Sequence, residues 1–157
     1  YTREDMRRAI LSAQTEEGAF GLSAGTADVD ITAMALQALA GYRDERQVQT
    51  AVDRALQCLS KLQDADGGVT GWQTRSCEST AQVAIALAEL GISLDDSRFV
   101  KNGNTVLDGL MQYAVADGGF AHQKGGKTDL MATEQALCAL AAVQRLQTGQ
   151  PSLYSME

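Results

Sequence analysis

Positive charge is scarce in this chain. Lys and Arg number 13 against 20 Asp and Glu, a formal charge of −7, and the sequence pI is near 4.7. Its only basic groupings are Arg7-Arg8 and the glycine-spaced Lys124 and Lys127. A phosphate backbone needs clustered cations to neutralise it, so nucleic acid is excluded as a partner. An acidic surface serves mainly solubility. No apolar run approaches the roughly 20 residues that span a bilayer, so membrane insertion is not expected. Alternating β-branched stretches are missing, so no sheet is expected. The 15 glycines include no Gly-x4-Gly-Lys-Ser/Thr phosphate cradle. The three cysteines lack metal-like spacing. Cys58 and Cys138 sit among apolar helical residues and read as small buried hydrophobes. Cys77 lies in a loop beside Glu78, where a nearby helix start favours a reactive thiolate, but no His is within sequence reach. The first residue is Tyr1 and no signal-like segment follows. The reading is a piece of a longer protein whose targeting signal lies elsewhere.

What the chain does have is a unit used three times. Each copy is a glycine turn, a polar loop and a small-residue helix. The turns are Gly18-Ala-Phe20, Gly67-Gly-Val69 and Gly118-Gly-Phe120. Phe20, Val69 and Phe120 stand 49 and then 51 residues apart. A period of this length marks an array of supersecondary units, none able to bury its apolar face alone. At 157 residues the chain reads as one domain, 1–157, with repeats at about 3–42, 45–91 and 104–147.

Helices are expected over 3–14, 30–41, 45–62, 78–90, 104–114 and 129–147. Thr2 caps the first, with Asp5 three residues on, and Met6, Ile10 and Ala13 face inward. The second, fourth and sixth are apolar almost all round, which belongs in an interior. The third and fifth are amphipathic, as Val48, Val52, Ala55, Leu56, Leu59 and Leu62 illustrate at i, i+4, i+7 spacing. Asn102-Gly103 signals a turn, and Gly149 and Pro151 end the last helix. Outer and inner helices therefore alternate in three hairpins. Laid side by side, these curve into part of a ring. The amino ends of the inner helices share one rim, and their loops point polar residues at a common centre. Asp28, Ser76 and Asp129 each precede a threonine by four residues and read as helix caps. The glycines serve turns with positive φ.

The segments Gln14-Thr-Glu-Glu-Gly18-Ala-Phe20 and Gln63-Asp-Ala-Asp-Gly67-Gly-Val69 resemble the Gln/Gly/aromatic repeats of squalene cyclases. The chain is thus similar to the α/α-toroid superfamily: terpene cyclases, protein prenyltransferase β subunits, complement-like thioester domains and cobalamin carriers. Residues 90–103, with Gly118-Gly-Phe-Ala-His122 and Met131-Ala-Thr-Glu-Gln-Ala-Leu137, look like bacterial surface proteins carrying prenyltransferase/squalene-oxidase-type repeats. The resemblance implies an all-α fold: three α-α hairpins forming part of an α/α toroid, with the inner helices after Gly-rich turns. Full toroids have about twice as many hairpins, so the chain forms a half ring or associates with another copy to complete one.

The resemblance also implies where chemistry would sit. Asp28-Val-Asp30-Ile-Thr-Ala is similar to the Asp-x-Asp-Asp-Thr-Ala acid motif of squalene-hopene-type cyclases. Asp30 matches the alkene-protonating aspartate, which must be held neutral. The supporting aspartate is replaced by Ile31, and a lone carboxyl in a polar loop is expected to ionise. At 5% aromatic residues the chain lacks the rings that steady carbocations. In the prenyltransferase zinc set, Asp28 matches the aspartate, Asp30 the cysteine position and Ala132 the histidine position. Two carboxylates without the imidazole do not make the expected tetrahedral site. The thioester Cys-Gly-Glu-Gln stretch is absent, and Cys77-Glu78-Ser79-Thr80 does not replace it. No metal or cofactor is expected. The preferred reading is a non-catalytic binding or scaffold domain of a bacterial protein, extracellular or at the cell surface. Its partner is an unknown small molecule or surface polymer. Candidate contacts are Asp28, Asp30, Trp72, His122, Asp129 and Glu134 along the rim. The alternatives are cobalamin-carrier-like small-ligand binding, or a relict or partial cyclase- or prenyltransferase-like enzyme.

Overall fold

A computed structural model of the chain describes residues 1–23, 25–71 and 74–155. The residues nominated as caps start the helices. Thr2 opens α1 (Arg3–Ser12) with a reciprocal box to Asp5. Asp28 caps α2 (Val29–Leu39) through the Ile31 amide, and a 3-10 turn over Ala40–Tyr42 follows. The outer helix α3 (Arg46–Leu62) leads to α4 (Cys77–Glu89), capped by Ser76. Thr105 and Asp108 form a second reciprocal box at the start of α5 (Val106–Met111), and Asp129 caps α6 (Leu130–Gln147). Such caps satisfy amide donors that helix geometry leaves free, each worth about 1 kcal/mol.

The inner helices α2, α4 and α6 lie side by side, with α4 between its two neighbours. Central α4 buries Cys77, Ala81, Ala84, Ile85 and Leu87 among others, as an all-round apolar helix must. Outer α3 buries Val48, Val52, Ala55, Leu56 and Leu59 and turns its polar side to water, although Leu62 is exposed. Gln37 donates to Gln82 at 2.9 Å, and Gln82 donates to Gln135 at 3.0 Å. This amide ladder joins all three inner helices and fixes their mutual register.

Five expectations are corrected. The chain does contain β pairing: β1 (Thr70–Gly71) pairs with β2 (Thr74–Arg75), and β3 (Phe120–Ala121) with β4 (Thr128–Asp129). In the first repeat the same pairing is a single Phe20–Asp28 bridge. Each ribbon only carries the chain from a glycine turn out and back to a helix cap, too briefly to leave an alternating pattern. Met6 is exposed rather than inward, because α1 is the first outer helix and buries no residue fully. The fifth helix is much shorter than 104–114. Asn102 and Gly103, both at positive φ, and the paired Lys101 and Asn104 backbone hold its approach in a turn. Finally, α6 is not enclosed: Leu130, Met131 and Leu137 are exposed, as is Cys138, because none of the described helices packs over that side. Cys58 is only half-buried, its thiol donating to the Glu17 carbonyl at 2.8 Å.

Candidate functional site at the inner-helix rim

Each rim tip is built by one device. Gly18, Gly67 and Gly118 take φ of +96°, +88° and +101°, a region open mainly to glycine. The turn then delivers Phe20, Val69 or Phe120 into the core. The threonine four residues past each cap locks it there. Thr32 accepts from the Phe20 amide at 2.9 Å, Thr80 from Val69 at 3.2 Å, and Thr133 from Phe120 at 2.9 Å. The motif glutamines are structural as well. Gln14 donates to the Gly18 and Ala51 carbonyls, both at 2.8 Å. Gln63 donates to Gly67 at 3.2 Å and to Phe99 at 2.9 Å. Each ties its turn to the next hairpin. In the third repeat Ala114 occupies the equivalent place, where it bridges Phe120.

The tips converge. The Cys77 amide, at the start of α4, donates to the His122 carbonyl in the loop before α6 at 3.0 Å. His122 Nδ1 lies 2.9 Å from Glu78. On the other side of α4, Ser79 neighbours the Asp30 carboxyl at the start of α2. Burial pushes that carboxyl above the usual aspartate range; the Ser79 hydroxyl opposes the shift, and the charges of Asp28 and Glu78 add to it. Asp30 Oδ1 is buried without a hydrogen-bond partner. This corrects the expectation of an aspartate freely ionised in a polar loop: Asp30 sits on the α4-facing side of the rim, where solvent is largely excluded.

Asp28, Asp30 and His122 are thus gathered around the amino end of α4, joined by Glu78 and Ser79. Asp28 is buried and spends Oδ1 on the Ile31 amide at 2.7 Å. Asp129 spends its own on the Ala132 amide at 2.9 Å. Glu134 stands exposed one turn into α6, away from the cluster. Trp72 lies outside the described residues. Glu78 and Ser79 were missed as candidates, yet the repeat points to them. Counting from the caps, Glu78 occupies the Asp30 position and Ser79 the Ile31 position. Cys77 is not a loop thiol: it is the first residue of α4, fully buried, and burial pushes it up to about 12. Ala132, at the resembled histidine position, is fully enclosed, and its carbonyl accepts from the Cys77 thiol at 3.7 Å. Among the described residues no three His, Cys, Asp or Glu side chains are grouped to hold a metal ion.

Alternating hairpins with inner-helix tips on one rim define an α/α toroid arc, and the chain belongs to the prenyltransferase alpha-alpha toroid domain family, whose model matches residues 1–152. Among solved structures it is similar to Candida albicans protein geranylgeranyltransferase-I complexed with GGPP, with a TM-score of 0.66 and 16% sequence identity. The match covers 92% of this chain and 44% of that one. Identity this low shows the fold alone, and the chain spans less than half the length of that relative. No curated protein matches the chain.

Proposed function

We propose that this toroid arc is a non-catalytic binding or scaffold domain that takes its ligand at the inner-helix rim, in a bacterial protein outside the cell or at its surface. One observation carries the reading. Asp28 and Asp129 are spent on helix caps, and the position resembling the prenyltransferase histidine is a buried alanine. What remains at the tips is an acceptor-rich cluster, half-buried Asp30 and Glu78 with buried Ser79, beside exposed His122. Such a cluster suits a ligand offering hydroxyl or ammonium donors, either a small molecule or a surface polymer. The surface location rests on the likeness to bacterial surface repeats. Titration of the isotope-labelled chain with soluble peptidoglycan fragments tests it. Amide shifts should concentrate at Asp30, Glu78, Ser79 and His122 and vanish in Glu78→Ala. Shifts scattered over the surface, or turnover of farnesyl or geranylgeranyl diphosphate by the chain, would overturn the reading.

The raised Asp30 carboxyl favours a second reading, a relict or partial enzyme. An aspartate must be kept neutral to deliver a proton to an alkene. Turnover abolished by Asp30→Asn but retained in Glu134→Gln would select this reading over the first.

A further inference from the structure

Glycine follows an acid or its amide at Asp66-Gly67, Asn102-Gly103, Asp108-Gly109 and Asp117-Gly118. In such a pair the glycine nitrogen can attack the side chain before it, since no Cβ stands in the way. The attacking N–H must first be free of its own hydrogen bond. The fold ties it at each Asp-Gly pair. Gly67 donates to the Asp64 carbonyl at 3.0 Å, Gly109 to Thr105 at 3.1 Å and Gly118 to Val115 at 3.0 Å. Gly103 N–H meets no acceptor among the described residues. Asn102 and Gly103 are the central residues of a hairpin turn, at φ of +50° and +83°. The Lys101 and Asn104 amides close it, at 2.9 and 2.8 Å. Both central residues are exposed, and the space where a Gly103 side chain would stand is empty. The chain's other asparagine is restrained. Asn104 Nδ2 donates to the Ala65 carbonyl at 2.9 Å, and the amide after it, that of Thr105, donates to Asp108 at 2.8 Å.

We propose that Asn102 is a self-modification site, converted through a cyclic imide to isoaspartate and aspartate. The Gly103 nitrogen bonds to Asn102 Cγ, the Cγ–Nδ2 bond breaks, and Nδ2 leaves as ammonia with the Gly103 proton. Water then opens the imide. Attack at Cγ leaves aspartate, and attack at the main-chain carbonyl leaves isoaspartate, whose backbone runs through the former side chain. No oxidant or reductant takes part. The peptide must rotate out of its turn before attack, and the Lys101–Asn104 bonds are what resist it. The product acts back on the fold. Isoaspartate adds a methylene to a two-residue turn, so the Lys101–Asn104 pair no longer closes. That turn leads into the Thr105 cap of α5, whose Gly109 seats on the Gly67–Gly68 backbone. Conversion therefore loosens α5 from the second rim tip and sets a new negative charge beside Lys101.

Ageing the chain in mildly alkaline buffer made with heavy-oxygen water tests the proposal. Mass spectrometry with electron-based fragmentation then reads each site and separates isoaspartate from aspartate. Residue 102 should exchange its amide nitrogen for one heavy oxygen and appear as both products, while Asn104 and the three Asp-Gly pairs stay unlabelled. Asn102→Gly, which suits the positive φ, should abolish the mass shift and keep the helix content. Hydrogen exchange at the Lys101 and Asn104 amides should quicken in the aged parent. Labelling at Asn104 or an Asp-Gly pair as fast as at Asn102 would overturn it. So would an Asn102 that converts in urea but stays intact in the folded chain, or an aged chain whose exchange at Lys101 and Asn104 is unchanged.

Discussion

Thr80→Val is the sharpest probe of how the rim tips are made. Thr80 is wholly buried and so is Val69, whose amide it receives at 3.2 Å. The same hydroxyl donates to the Ser76 carbonyl at 3.0 Å. Valine keeps the shape but removes the acceptor, leaving the Val69 N–H enclosed and unpaired. An unsatisfied buried donor costs about 1–3 kcal/mol. The Ser76 carbonyl keeps a long bond from the Thr80 amide at 3.4 Å, so the hydroxyl's loss there is partly covered. The extra buried methyl offsets a fraction, which leaves a net loss of about 2 kcal/mol. For a chain of this size that lowers the melting midpoint by about 4–8 °C. Thr133→Val makes the internal control. Its clamp onto Phe120 is only half-buried, so water replaces the lost partner and the cost falls below about 1 kcal/mol. Urea unfolding of both variants at constant m-value gives the comparison. If Thr80→Val matches the parent in stability, or Thr133→Val proves the more damaging, the clamp does not hold the turn.

Other consequences are open to direct measurement. The Asp30 carboxyl is raised in the fold, so its contribution is favourable at acid pH and is lost as pH rises through its folded value. Asp30→Asn should therefore be more stable than the parent at pH 7, an advantage that shrinks toward pH 3; an unchanged difference across that range refutes the assignment. A maleimide should modify exposed Cys138 rapidly and reach buried Cys77 only on unfolding, as mass spectrometry of the labelled peptides would reveal. Gly109 of α5 rests directly on the Gly67–Gly68 backbone, where a methyl group would collide. Gly109→Ala should then cost about 1–3 kcal/mol in urea unfolding, and a neutral result would mean that α5 docks elsewhere.

The hairpin order was readable because its determinants are local. Caps, glycine turns and the apolar character of α2 and α4 are each written within about a dozen residues. The threonine spacing was readable too, although its partner across the turn was not. The ribbons were hidden by their two-residue length. The fate of α6 was misjudged for a different reason: Leu137 and Cys138 look like core residues whether or not a neighbour covers them. At the rim, Asp28 and Asp129 were legible as caps, but the environment of Asp30 depends on Ser79 and Glu78, 49 and 48 positions downstream. Local composition suggested a hydrated loop. Only the apposition of helix tips reveals a shielded carboxyl.

Parallel alignment of the three inner helices carries an electrostatic burden. Their macrodipoles point the same way, so positive ends crowd at one pole and negative ends at the other. The chain answers with acids at the first pole, where Asp28, Asp30, Glu78 and Asp129 cluster. At the second, the Arg43 guanidinium donates to the carbonyl of Leu90, the residue that closes α4. The molecule is polarised from end to end, and added salt, by screening both poles at once, works against the alignment of its inner wall.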